Sequence, residues 1–322
     1  MTSAAPSGDN QPSTDSRQAP ELLRRLASAV VLAAIALGAV LLSPWSFLAL
    51  VIVAAGLLLW EWGSATRGNG FDGTSLIQAV SVVALTVFIA LGRFDLGFFV
   101  LGATAVVVGY SAPDRGRAMW AVAGLAYVAL PAAALIWLRS DPQFGLAAVL
   151  FLLAVAWTTD TASYIGGRGF GGSKLAPTVS PKKTWSGFLV GILIPALVGY
   201  GFAVYLGGTS RLGLALVAIG LALACQMGDL LESAVKRHFG VKDMSQLIPG
   251  HGGLFDRIDS LLLAAVLAGL IALRDLASPG AGLSSGRGES AVSPSHIHGH
   301  RAATVHQTAE TDHRARRHRL DR

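Results

Sequence analysis

The sequence has a single cysteine, Cys225, and little charge: only 14% of its 322 residues are Asp, Glu, Lys or Arg. One cysteine excludes an intrachain disulfide framework and any CxxC metal site. It lies within an apolar run and reads as a small buried hydrophobe. An ordinary soluble domain carries about 25% charged residues. With 52% hydrophobic residues, this chain has too little polar surface to stay in solution, so its composition points to a membrane protein. The formal charge of +6 would suit nucleic acid, but its placement does not. Seven of the 25 Lys and Arg lie in the last 40 residues, and most of the rest flank apolar runs. That is membrane-flanking charge, and no nucleic-acid partner is expected.

Long apolar runs are what the sequence has in plenty. Residues 1–20 are rich in Ser, Pro, Asp and Gln, and 277–322 in Gly, Ser, His and Arg. Neither stretch can bury a core, so both read as disordered tails. HIHGH at 296–300 reads as part of that tail rather than as a metal site. Between the tails, residues 21–276 hold nine apolar runs, at about 26–43, 45–62, 75–92, 95–110, 118–138, 144–165, 185–206, 211–234 and 258–275. Each is near the ~20 residues a spanning helix needs. The first run follows Arg24 and Arg25 as a signal peptide would, but it is too long for one and lacks a convincing cleavage site. The expected fold is all-α, a polytopic integral membrane protein with about nine transmembrane helices.

Charge sets the expected orientation. With a cytoplasmic N-terminus, the inner segments hold fourteen Lys and Arg, and the short outer loops and last helix end hold only Arg93, Arg139, Arg211 and Arg274. This fits the positive-inside rule. An odd helix count then leaves the Arg-rich C-terminal tail outside, far enough from the last helix to weigh little. The expected location is the plasma membrane, with the active site facing the cytoplasm.

Carboxylates collect where the apolar runs end on that side: Glu61, Asp160, Asp229, Glu232, Asp256 and Asp259. A charge at mid-bilayer costs about 2.5–3.5 kcal/mol even on an insertion scale, so this clustering at one depth has a purpose. Two polar loops, 166–184 and 235–257, are expected at the same depth and are rich in Lys and Arg. Acid beside base at one depth suits a divalent metal together with a polyphosphate: oxygens hold Mg2+, and cations hold phosphate oxygens. Asp229, Glu232, Ser233 and Lys236 recur every three or four residues and share one helix face. The plainer alternatives are an ion pair of Asp229 with Lys236 or Arg237, and helix capping by Asp256.

The loop 235–257 carries Lys236, Arg237, Lys242, Asp243, His251, Asp256 and Arg257, with Gly250, Gly252 and Gly253 around His251. Such glycines would let the backbone approach a ligand closely. The loop 166–184 contains GRGFGG at 167–172, a formal GxGxxG. That match is weak, because no βαβ unit surrounds it. Pro181, Lys182, Lys183 and Thr184 offer two cations and a hydroxyl just before a helix start, which itself favours anions.

These residues resemble the phosphatidate cytidylyltransferases, also called CDP-diglyceride synthases. The signature S-x-x-K-R-x4-K-D-x-S-x2-I-P-x-H-G-G-x-x-D-R-x-D runs without a gap from Ser233 to Asp259. The resemblance extends to Asp160, Tyr164, Gly167, Arg168, Lys174 and Ser180 to Thr184, and covers roughly 150–275. One departure is Ser186, where the family usually carries Glu. The resemblance implies that a phosphate oxygen of phosphatidic acid attacks the α-phosphorus of CTP, with pyrophosphate leaving and CDP-diacylglycerol staying in the bilayer. It implies Mg2+ on Asp229 and Asp256. Lys236, Arg237, Asp243, His251 and Asp259 are the implied catalytic group. Asp160, Arg168, Lys174, Ser180, Lys182, Lys183, Thr184, Lys242 and Arg257 are the implied substrate contacts. CTP, phosphatidic acid and the bilayer are the expected partners, and a homodimer is left open.

Two other classes compete. A CTP-dependent lipid kinase, or a cytidylyltransferase acting on another lipid phosphate, would lack the full signature. A transporter of anionic lipid would place its charges near mid-bilayer on broken helices.

Overall fold

The computed structural model describes residues 30–207, 209–247 and 252–277, with side chains described as far as Arg274. Pro249, Gly250, His251, the expected tail 1–20 and all but Ala277 of the expected tail 277–322 lie outside the described residues. One compact unit ends at Leu273, and of the unit that begins at Arg274 only the helix end is described.

As far as they are described, the nine apolar runs fall on helix. α1 covers Val30–Leu42. It is followed by α2 (Pro44–Arg67), α3 (Gly73–Ala90), α4 (Phe94–Ser111), α5 (Arg115–Ser140) and α6 (Gly145–Phe170). Then come β1 (Lys174–Ala176), β2 (Ser180–Thr184), α7 (Trp185–Leu193), α8 (Pro195–Leu206), α9 (Arg211–His238) and α10 (Phe255–Ala277). Seven spans among the described residues are long and apolar enough to cross a membrane: α2 to α6, α9, and α7 with α8 as one. The protein is therefore an all-α polytopic membrane protein, with α1 and α10 outside that set of seven. Helix is the form this composition demands, because hydrocarbon offers no partner for an open backbone N–H or C=O.

Short polar residues start several of the helices. Ser43 accepts from the Ser46 amide and stands before Pro44, whose missing N–H costs nothing at a first helical position. Asp72, Asp114 and Ser210 cap α3, α5 and α9 in the same way. Burial pushes the Asp72 carboxyl up, but bonds from Arg67 and Ser75 outweigh it and hold it below the ordinary carboxylate range. The seventh apolar run is one span in two pieces. Pro195 lacks the N–H that would continue α7, so the run divides into α7 and α8.

α2 packs against α3 and α5, α6 against α7 and α9, and α8 against α9. Leu58, Leu59, Leu85, Leu125, Val128 and Leu152 are buried in the shared core. An aromatic group links α2, α5 and α10. The Trp62 indole donates to the Trp120 carbonyl at 2.9 Å, and the Trp62 and Tyr127 rings lie 5.8 and 5.5 Å from that of Phe255.

The stretch 166–184 differs from the expected loop. α6 continues through Phe170, so Gly167 to Phe170 are helical and GRGFGG does not form a phosphate-cradling loop. Beyond Gly172 the chain forms a small antiparallel hairpin, with Lys174 opposite Thr184 and Ala176 opposite Ser180. Strands of three and five residues containing Pro181 show no periodicity that a sequence reading could detect.

Candidate active site

The C-terminal ends of α6 and α9, the hairpin, and the N-terminal ends of α7 and α10 surround a cavity of about 950 Å³. Its lining joins residues from distant parts of the chain. α6 contributes Asp160 and Arg168, and the hairpin contributes Lys174, Lys182, Lys183 and Thr184. α9 contributes Asp229, Glu232 and Lys236, and α10 contributes Asp256, Arg257 and Asp259, with Asp243 from the loop between them. The structure thus brings together most of the residues singled out from sequence. Arg237, Ser180 and Lys242 do not line the cavity, and His251 lies outside the described residues.

Local chemistry explains each placement. Thr184 ends β2 and caps α7, accepting from the Gly187 amide at 3.2 Å. Ser186, at the point of departure from the family pattern, donates to the Gly171 carbonyl and lies 3.0 Å from the Thr184 hydroxyl. It ties the end of α6 to the start of α7 without a carboxylate. Arg237 donates to the Val179 carbonyl at 3.4 Å and so steadies the hairpin turn. α9 and α10 approach closely at Gly228, where a Cβ would lie 2.6 Å from the Asp259 carbonyl oxygen. That crossing places Asp229 beside Asp259.

Two ion-pair groups divide the cavity. Lys183 lies 2.7 Å from Asp229, so the partner of Asp229 comes from the hairpin rather than from Lys236 or Arg237. Lys236 bridges Glu232 at 2.6 Å and Asp256 at 2.7 Å. The other oxygen of Asp256 accepts from the amides of Gly253 at 2.8 Å and Met244 at 3.1 Å. Asp256 therefore serves its own helix start and also holds Lys236. Among the described residues no carboxylate forms an ion pair with Lys174, Lys182 or Arg168. Arg168 donates to the Tyr164 hydroxyl at 3.0 Å. These cations line the cavity, and groups of this kind suit phosphate oxygens.

The donor set suits a hard divalent cation. Asp160, Asp229 and Asp259 lie near enough to repel one another, and one oxygen of buried Glu232 has no hydrogen-bond partner. Among the described residues no three such side chains converge into a ready-made metal cage. Mg2+ does not require one, since it keeps waters and usually takes one or two carboxylates together with substrate phosphates.

One carboxylate expected in the acid cluster stands apart from the cavity lining. Glu61 of α2 is fully buried and binds the start of α10. Only its depth among the other carboxylates hinted at this. The glycine after Gly252 likewise proves to approach a protein group: a Cβ on Gly253 would lie 2.6 Å from a Glu61 oxygen.

Comparison with known proteins agrees with this geometry. The model of the cytidylyltransferase family matches residues 23–273. A phosphatidate cytidylyltransferase of Brucella suis is 38% identical over 252 residues, covering 76% of this chain and 91% of that protein. One from Haemophilus influenzae is 32% identical over 292 residues, covering 76% of this chain and 96% of that protein. One from Staphylococcus saprophyticus is 36% identical over 175 residues, or 52% of this chain and 66% of that protein. With the family match spanning most of its length and the matched residues forming one cavity of acids and cations, the chain belongs to the cytidylyltransferase family.

Proposed function

We propose that this enzyme, a nucleotidyltransferase of phospholipid synthesis, transfers the cytidylyl group of CTP to phosphatidic acid. The products are CDP-diacylglycerol and pyrophosphate. The observation that carries this reading is the cavity itself, where Lys174 and Lys182, without an ion pair among the described residues, share a lining with clustered carboxylates at one end of a membrane bundle. Both substrates are polyanions, and bringing them together requires fixed positive charge. Lys174, Lys182 and Arg168 supply it from the side of the hairpin and α6, and Lys236 and Arg257 from the side of α9 and α10.

Transfer of this kind depends on positioning and charge neutralisation more than on covalent help. A phosphate monoester is already ionised near neutral pH, so the attacking oxygen needs little help from a base. The protein's task is to hold that oxygen in line with the α-phosphorus. The hairpin cations neutralise the departing pyrophosphate, and Lys236 is held by Glu232 and Asp256 at the cavity wall. Mg2+, when bound, would polarise the α-phosphate and offset charge on the leaving group. Asp229 and Asp256 are the carboxylates proposed to hold it. Asp229 is engaged through one oxygen, by Lys183, whereas Asp256 spends both on protein donors. Its share in metal binding requires Lys236 to turn to a substrate phosphate.

The proposed setting is the plasma membrane, with the cavity on the cytoplasmic side where CTP is found. Its support is the bias of fourteen basic residues against four. The test uses purified full-length protein in detergent micelles with Mg2+, CTP and phosphatidic acid. Pyrophosphate and CDP-diacylglycerol should form in equal amounts. They should not form with ATP, GTP or UTP in place of CTP, with other phospholipids, or after chelation of Mg2+. Phosphorylation of a lipid alcohol, with CDP released instead, would overturn the proposal.

A further inference from the structure

Glu61 sits on α2, outside the cavity lining, and is 0% exposed. Among the described residues no Lys or Arg forms an ion pair with it. A buried carboxylate without a cation is costly unless its oxygens are well bonded. Here one oxygen accepts from the Ser245 hydroxyl at 2.5 Å and the Leu254 amide at 2.8 Å. The other accepts from the Phe255 amide at 2.7 Å. Two of these donors are open backbone groups at the start of α10, where the helix dipole also favours negative charge. One side chain from α2 thus fastens both ends of the stretch 245–254 and begins the helix that carries Asp256, Arg257 and Asp259 into the cavity.

The neighbours strengthen this clip. Trp62, next in sequence, holds the Phe255 ring at 5.8 Å, while Tyr127 stacks on the same ring. Gly253 leaves no room for a Cβ beside the carboxylate. Gly253 and Met244 in turn donate to Asp256, which holds Lys236. A chain of direct contacts therefore runs from Glu61 to the cation at the cavity wall.

We propose that Glu61 is a positioning residue: it sets the register of α10 so that Asp256, Arg257 and Asp259 face the substrates, and turnover depends on it although it touches neither substrate. This rests on the proposed cytidylyl transfer for its kinetic part alone, because the clip can also be read without any assay.

The test compares Glu61→Gln with Gln78→Leu in the full chain, in micelles. Glu61→Gln puts an amide N–H where a backbone N–H now finds an acceptor. Gln78, equally buried, bonds the Ala121 carbonyl at 2.7 Å, does not line the cavity and has no hydrogen bond to the described residues of 245–254, so its loss reports stability alone. Hydrogen exchange at the Leu254 and Phe255 amides should speed about tenfold or more in Glu61→Gln and stay unchanged in Gln78→Leu. Per folded molecule, kcat should fall about 10²-fold in Glu61→Gln, the scale expected for a misplacement near 1 Å, with KM for CTP within about threefold. Glu61→Asp, which keeps the charge, should recover part of the loss. Wild-type kcat in Glu61→Gln, or unchanged exchange at both amides, would overturn the assignment. So would a loss that merely follows thermal stability as in Gln78→Leu. A wild-type protein that makes no CDP-diacylglycerol would instead overturn the proposed function, and exchange would still decide the clip.

Discussion

The Lys183 ammonium lies 2.7 Å from a carboxylate oxygen of Asp229, so a cation of β2 and an acid of α9 neutralise each other across the cavity. Each belongs to a different expected role, one for phosphate and one for metal. In the absence of substrate the pair keeps both charges from standing alone in a partly buried site. On the proposed mechanism, a polyphosphate would offer Lys183 a new partner, and Mg2+ would offer one to Asp229.

This pairing predicts strong coupling. Asp229→Asn should lower kcat/KM about 10³-fold, the scale for losing a charged ligand in phosphoryl-type transfer. Lys183→Ala should lower it less. The double variant should lose far less than the product of the two, because both changes dismantle one unit. Steady-state kinetics on the four proteins decide the matter, and multiplicative losses would show that the two residues act separately.

Asp256→Asn tests a residue with two duties. Asn can still accept from the Gly253 and Met244 amides, so the start of α10 should survive and thermal stability should change little. The amide would, however, place an N–H against the Lys236 ammonium, now 2.7 Å from a carboxylate oxygen. Activity should fall about 10³-fold while the protein stays folded. Near wild-type turnover with unchanged Mg2+ dependence would leave Asp256 as a cap only.

Topology can be read from outside the cell. Cys225 is 0% exposed and should resist an impermeant thiol reagent, so single cysteines at Ser173 and Ser284 can be scored directly. In intact cells the reagent should label the position-284 variant and spare the position-173 variant. The reverse pattern would invert the proposed orientation.

Residues 1–20 and 280–322 lie outside the Ser233 to Asp259 signature and outside the 23–273 family match. Removing both should leave specific activity within about threefold, the range expected when the chemistry lies elsewhere in the chain. A loss of two orders of magnitude in folded protein would reveal a functional element in a tail.

Much of the molecule was legible in its sequence, for identifiable reasons. A spanning helix must be long and apolar, so composition alone located α2 to α6 and α9 to within a few residues. Acids and bases are expensive in lipid, so their clustering at one depth marked the site before any geometry was known. The hairpin was not legible, because short polar strands carry no periodic signal. Nor was the Pro195 division visible as a change in character, since both pieces lie within one apolar span.

By itself, then, the sequence determined the class of fold, the side on which charge gathers and the residue types that meet there, since each follows from the cost of polar groups in a bilayer. Only the tertiary structure decided which charge faces which. Lys183 of β2 took Asp229, Lys236 joined Glu232 to Asp256, and Glu61 closed on the start of α10 from 184 residues before Ser245. Such partners are chosen by how helices cross, and crossings such as that at Gly228 depend on packing between segments far apart in the chain, which spacing along one segment cannot reveal.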